Sequence, residues 1–150
     1  MKLIKIQNLL EEWSPLENCE DFDNVGLLIG NPNSEVNGAL ITIDVTEKVI
    51  DEAINMGYNL IITFHPLMYK GSNKLNSEEY VDICIEKALK NNLNVYCIHT
   101  NLDNNPKGVS YQISKKLKLI NPNIFIKQNR LSDFELVRLV NSVKQVELNS

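Results

Sequence analysis

Three short apolar runs, each followed by a segment of helical period, govern what this chain can fold into. Residues 38–44 precede 46–56, residues 60–64 precede a helix from about 77 to 91, and residues 93–98 precede 108–117. The runs are too short for buried helices and carry β-branched Ile and Thr, so they read as strands. The segments between them carry one apolar stripe each: Val49, Ile50, Ala53 and Ile54, then Tyr80, Val81, Cys84, Ile85, Ala88 and Leu89, then Val109, Ile113 and Leu117. Strands alternating with amphipathic helices make βαβ units, because a helix is what carries the chain back to start a parallel strand. The sequence therefore predicts an α/β fold, a mainly parallel sheet built from βαβ units with flanking helices.

The punctuation agrees with that pattern. Ile6, Leu9, Leu10 and Trp13 give a first helix over 4–13 that ends before Pro15. An acidic turn at Asp21, Asp23 and Asn24 leads into an apolar strand closed by Gly30 and Pro32. Thr46 is placed to cap the next helix and Gly57 to end it, and Gly71, Ser72 and Asn73 form a loop. After Pro122 a strand over 123–126 precedes Ser132 and Glu135, a capping-box pair that predicts a last helix through about residue 146. The expected organisation is an α/β lobe over 1–122, followed by a strand and helix over 123–150.

Composition narrows the function. With 43% hydrophobic and 23% charged residues, 150 residues suffice for one core and no second full domain. A net charge of -4 argues against a phosphate-gripping nucleic-acid binder. Cys19, Cys84 and Cys97 include no Cys-x-x-Cys pair, so neither a disulfide framework nor a thiolate zinc site is indicated; Cys84 and Cys97 read as buried, inert thiols. No signal peptide or membrane-length apolar stretch is visible, and the expectation is a cytoplasmic protein.

Only two histidines occur, His65 and His99, and each closes one of the predicted strands. In an open α/β sheet, ligands bind beyond the carboxyl ends of the strands, so both imidazoles, Asp103 and Asp44 are expected at one edge. Imidazole nitrogen and carboxylate oxygen suit Zn, Mn, Fe or Co, and His65, His99 and Asp103 are the candidate ligands. Thr100 and Asn101 are expected in a tight turn, orienting those ligands by hydrogen bonds. Structural readings stand beside these. A histidine at a strand end is ordinarily a hydrogen-bonded structural residue, Asp44 can serve the helix that follows it, and Asp21, Asp23 and Asn24 can be turn chemistry, since the rest of a calcium-loop spacing is absent. No glycine-rich phosphate loop and no nucleophile elbow is present.

Three stretches together resemble the NIF3-like family, the GTP cyclohydrolase I type 2 homologues: Asp21-Phe-Asp23-Asn24-Val-Gly26 through Gly30; Asp44-Val-Thr46 with Thr63-Phe-His65-Pro66; and His99-Thr100-Asn101-Leu102-Asp103 with Gly108. Their order and spacing match over roughly residues 1–120. The resemblance implies a toroidal homohexamer and a two-metal site of His, Asp and Glu ligands. It places His65 at the second His of the family's His-His-Pro motif, and Asp103 at the carboxylate sharing its metal, with His99 lining the site.

Two departures accompany that likeness. Phe64 stands where the motif has its first His, and a phenyl ring cannot ligate. The family's second half, with a further His and a bridging Glu, has no counterpart in these residues. The expectation is one divalent ion per chain at most, in a shortened or interrupted family member that pairs with its own copies or with a complementary second-half chain. By resemblance the activity is metal-dependent hydrolysis of a nucleotide such as GTP, opening the purine ring, with His99 as a candidate proton shuttle. The alternatives are a non-catalytic binding or assembly module with a degraded two-metal site, and a fragment without an independent role.

Overall fold

The computed structural model describes residues 1–69, 75–76, 78–120 and 122, together with the backbone of Ile126–Gln128 and Leu136–Arg138. The chain forms two compact units, Met1–Asn101 and Leu102–Ser150.

In the first unit, helix α1 (Leu3–Trp13) is followed by a single 3-10 turn at Leu16–Asn18 and strand β1 (Gly26–Ile29). Then come β2 (Ala39–Thr42), α2 (Glu47–Asn55), β3 (Leu60–Thr63), α3 (Tyr80–Lys90) and β4 (Asn94–Cys97). The four strands make one sheet in the order β1-β4-β3-β2. β2, β3 and β4 run parallel, and β1 lies antiparallel on β4. This is the α/β sheet that the alternating pattern requires.

The sequence signals act where they stand. The Thr46 hydroxyl accepts the backbone N–H of Val49 at 3.2 Å, capping α2. Past its other end Gly57 takes φ +69°, a left-handed conformation that glycine adopts without the penalty a Cβ would bring. β4 is buried along its whole length, as a strand with neighbours on both sides and layers on both faces must be. On one face Ile61 and Val95 pack with Ile50 and Ala53 of α2 and Cys84, Ile85 and Ala88 of α3. Tyr96 points to the other face, where its hydroxyl donates to Glu11 of α1 at 3.1 Å. Cys84 and Cys97 are buried free thiols, and burial pushes Cys97 up to about 12, so both are inert as the sequence suggests.

The second unit holds α5 (Val109–Lys116), while the single turn α4 (Thr100–Asp103) spans the division between the units. A Cβ on Gly108 would meet the Leu102 carbonyl at 1.8 Å, so the turn into α5 closes only around glycine. Strands β5 (Ile126–Gln128) and β6 (Leu136–Arg138) pair antiparallel. At Leu136–Arg138 a strand stands where the sequence leads one to expect part of a helix over 132–146. Leu136, Val137 and Arg138 lie opposite Gln128, Lys127 and Ile126, and cross-strand pairing overrides the local capping-box preference there. Residues 71–73, Ser77, 123–125 and the remainder of the expected last helix lie outside the described residues. Among the described residues no helix is long and apolar enough to cross a membrane.

One contact fixes β1 against β4. Gly30, at φ +128°, brings its backbone against Asn94, whose Oδ1 accepts the N–H of Asn31 at 3.1 Å while its Nδ2 donates to Asn59 O at 2.9 Å. A Cβ at Gly30 would stand 2.1 Å from that Oδ1. Gly30→Ala is therefore expected to destabilise the fold by about 2–4 kcal/mol through combined strain and collision, read as a lower urea midpoint at unchanged m-value.

Candidate functional site

The carboxyl ends of the three parallel strands supply most of the site. Asp44 follows β2, His65 follows β3 and His99 follows β4. Ladder bonds continue past the strands: Phe64 N–H donates to Thr42 O at 3.1 Å, His65 N–H to Ile43 O at 2.8 Å, and Ile98 N–H to Thr63 O at 2.9 Å. The buried Thr63 hydroxyl bridges toward the Ile43 and His65 carbonyls, both at 3.0 Å. These bonds set His65 opposite Asp44, and His65 Nδ1 lies 2.7 Å from Asp44 Oδ1.

β1 contributes from the opposite direction. Because it is antiparallel, with Gly26 opposite Cys97, the residues that precede it reach the edge that the others leave. Asp23 thereby meets His99, whose Nδ1 lies 2.9 Å and 3.0 Å from its two oxygens. Thr100 donates to Asp23 Oδ2 from its backbone N–H at 3.0 Å and from its hydroxyl, and Asn24 N–H donates to Oδ1 at 2.8 Å. The Thr100 hydroxyl in turn accepts the Glu20 N–H at 2.9 Å. Burial raises the pKa of Asp23, but the bonds from Thr100, His99 and Asn24 outweigh it and hold the carboxyl below its ordinary value.

Both histidines therefore engage a carboxylate through Nδ1. An ionised carboxylate only accepts, so Nδ1 carries the proton and, in the neutral ring, Nε2 keeps its lone pair. This is the tautomer that a metal-ligating histidine adopts when a carboxylate stands behind it. The ring centres are 5.6 Å apart at 81°, and Phe64 lies 5.2 Å from each, edge-on to His99 at 82°. The two pairs differ in surroundings. The His99 and Asp23 side chains are 17% and 0% exposed, those of His65 and Asp44 50% and 63%.

Of the three ligands expected from sequence, the structure brings His65 and His99 together, and Asp103 lies in the second unit at the end of α4. Among the described residues no group of three or more His, Cys, Asp or Glu is arranged to hold a metal ion. The tight turn expected between His99 and Asp103 is a helical turn. As expected, Asn101 bonds a candidate ligand, accepting the His99 N–H at 2.9 Å while donating to Ser14 O at 2.9 Å, whereas Thr100 serves Asp23. Asp44, expected at this edge beside its alternative helix-end role, and Asp23, for which turn chemistry is the sequence expectation, are each a histidine's partner. The signal for Asp23 lies in the connection from Gly30 to Gly38, which is too short for the helical crossover of a parallel strand.

Comparison with known proteins places these residues in context. Residues 1–149 match the family described as Duf34/NIF3 (NGG1p interacting factor 3). A Staphylococcus epidermidis protein named GTP cyclohydrolase 1 type 2 homolog is 37% identical over 148 residues, covering 90% of this chain and 40% of that protein. A Staphylococcus aureus protein of solved structure superposes with a TM-score of 0.79 at 41% identity, covering 85% of this chain and 36% of the other. A Bacillus cereus protein related to NIF3 gives 0.80 at 34% identity, with 85% and 36% covered. The chain thus spans about two fifths or less of the length of these relatives.

The Asp23 carboxylate carries a pH signature. Its folded pKa lies below the unfolded one, so its contribution is complete above the ordinary carboxylate range and is lost as pH falls through the folded value. In metal-free protein, Asp23→Asn is expected to cost about 2–3 kcal/mol at pH 7, with a smaller penalty toward pH 3 as the wild-type contribution disappears, read by urea unfolding across that range.

Proposed function

The chain belongs to the Duf34/NIF3 family, and on that footing we propose that His65 and His99 hold a divalent metal ion of the Zn, Mn, Fe or Co class through their Nε2 atoms, about one per chain. The observation that carries this reading is the pair of Nδ1-to-carboxylate bonds, His65 to Asp44 and His99 to Asp23. Each fixes the ring and its tautomer and makes Nε2 the more basic nitrogen. The 5.6 Å between ring centres is compatible with two imidazoles on one ion, whose metal–nitrogen bonds of about 2 Å put their centres roughly 5 Å apart.

The proposed chemistry is hydrolysis of a nucleotide such as GTP, by water attack on the purine ring. Support comes from the name of the relatives, GTP cyclohydrolase 1 type 2 homolog. A bound ion supplies Lewis-acid activation of water near neutral pH. The chain's own residues do the rest. Asp23, sealed from solvent, holds His99 in one orientation without being displaced by water. Asp44 orients His65 at the open side, within reach of water. The Phe64 ring, edge-on to His99, keeps one flank of that imidazole apolar.

Elemental analysis of protein purified without chelators tests the reading. About one ion per chain is expected, lost in His65→Ala and His99→Ala, and bound about 10–100-fold more weakly in Asp44→Asn, whose exposed position leaves folding intact. Loaded wild type should turn over GTP, and His99→Ala should not. A well-folded protein that takes up no Zn, Mn, Fe or Co would overturn the enzyme reading. It would leave a binding or assembly role.

A further inference from the structure

Two exposed aromatic rings stand on the loops that carry Asp23, the partner of His99, and His65. Phe22 is 58% exposed and Tyr69 48%, yet their ring centres lie 6.2 Å apart at a 43° tilt. The loops beneath them are tied by Asn24 Nδ2, which donates to Met68 O at 2.6 Å. Each ring also adjoins a firmly seated neighbour. Phe22 precedes Asp23, whose carboxylate is fully buried against His99 and Thr100. Tyr69 follows Leu67, which is buried in the main core, and Met68, which packs against it. The backbone is thus anchored beneath rings that remain in solvent, against the hydrophobic preference of the Phe22 side chain.

We propose that Phe22 and Tyr69 form a stacking wall on the loops of this site and receive the planar heteroaromatic ring of its substrate. A tilted pair leaves a phenyl and a phenol face open, and a flat heterocycle covers either with little ordering cost, since both rings are already positioned. The wall discriminates by planarity and aromatic character rather than by hydrogen bonds. It therefore binds the base end of a nucleotide and contributes nothing to the phosphates. The identity of the ring as a purine rests on the reading above; the stacking surface does not.

Isothermal titration of the full chain with GTP and with inorganic tripolyphosphate tests the proposal, with metal content measured on the same samples. Phe22→Ala and Tyr69→Ala are each expected to weaken GTP about tenfold and to leave tripolyphosphate unchanged, and Phe22→Tyr to retain wild-type affinity. Unchanged thermal melts would show that the exposed substitutions spare the fold. GTP binding that is equal in wild type and both alanine variants, or absent from wild type, overturns the stacking wall. Metal uptake without GTP binding overturns the wall while sparing the metal reading. A metal-free chain whose GTP affinity still depends on Phe22 does the reverse.

Discussion

A buried carboxylate organises the edge of this sheet. Asp23 has no solvent to satisfy it, and so its oxygens must be filled by protein donors: the His99 ring, the Thr100 backbone and hydroxyl, and the Asn24 backbone. Those donors come from the turn before β1 and from the segment after β4. The cost of leaving the charge unpaired ties these two parts of the chain together beyond the end of the strand ladder. His99 is oriented as a consequence, and the Glu20 N–H is satisfied through the same threonine hydroxyl.

The parallel strands build the other half of the site by a different principle. Here no buried charge dictates the arrangement; main-chain bonds extend the β2–β3 and β3–β4 ladders past their last strand residues and leave His65 facing Asp44. The buried Cys97 thiol, 3.2 Å from the Phe64 carbonyl, adds a further tie beneath the same segment. One imidazole is thus placed by side-chain electrostatics and the other by backbone geometry. They meet because β3 and β4 are neighbours in parallel register, Thr63 opposite Cys97.

Much of this was legible in the residues. Period and spacing locate α1, α2, α3 and α5 and all three parallel strands, and in α2, α3, β3 and β4 the apolar residues that carry the period include the buried core. The histidines were legible as edge residues for the same reason. Their carboxylate partners were harder to see. Asp23 precedes its strand while His99 follows one, and only the antiparallel sense of β1 brings them to one place. The strand at Leu136–Arg138 was hidden because its stability comes from a partner at Ile126–Gln128 rather than from local preference, which favoured a helix.

The unequal exposure of the two histidine–aspartate pairs gives the site two electrical regimes. Dissolved ions reach His65 and Asp44, so added salt weakens their mutual attraction. His99 and Asp23 interact in a medium that counter-ions scarcely enter, and their coupling persists in brine. Ionic strength thus acts as a dial on one imidazole and reaches its neighbour far less, although their ring centres are only 5.6 Å apart.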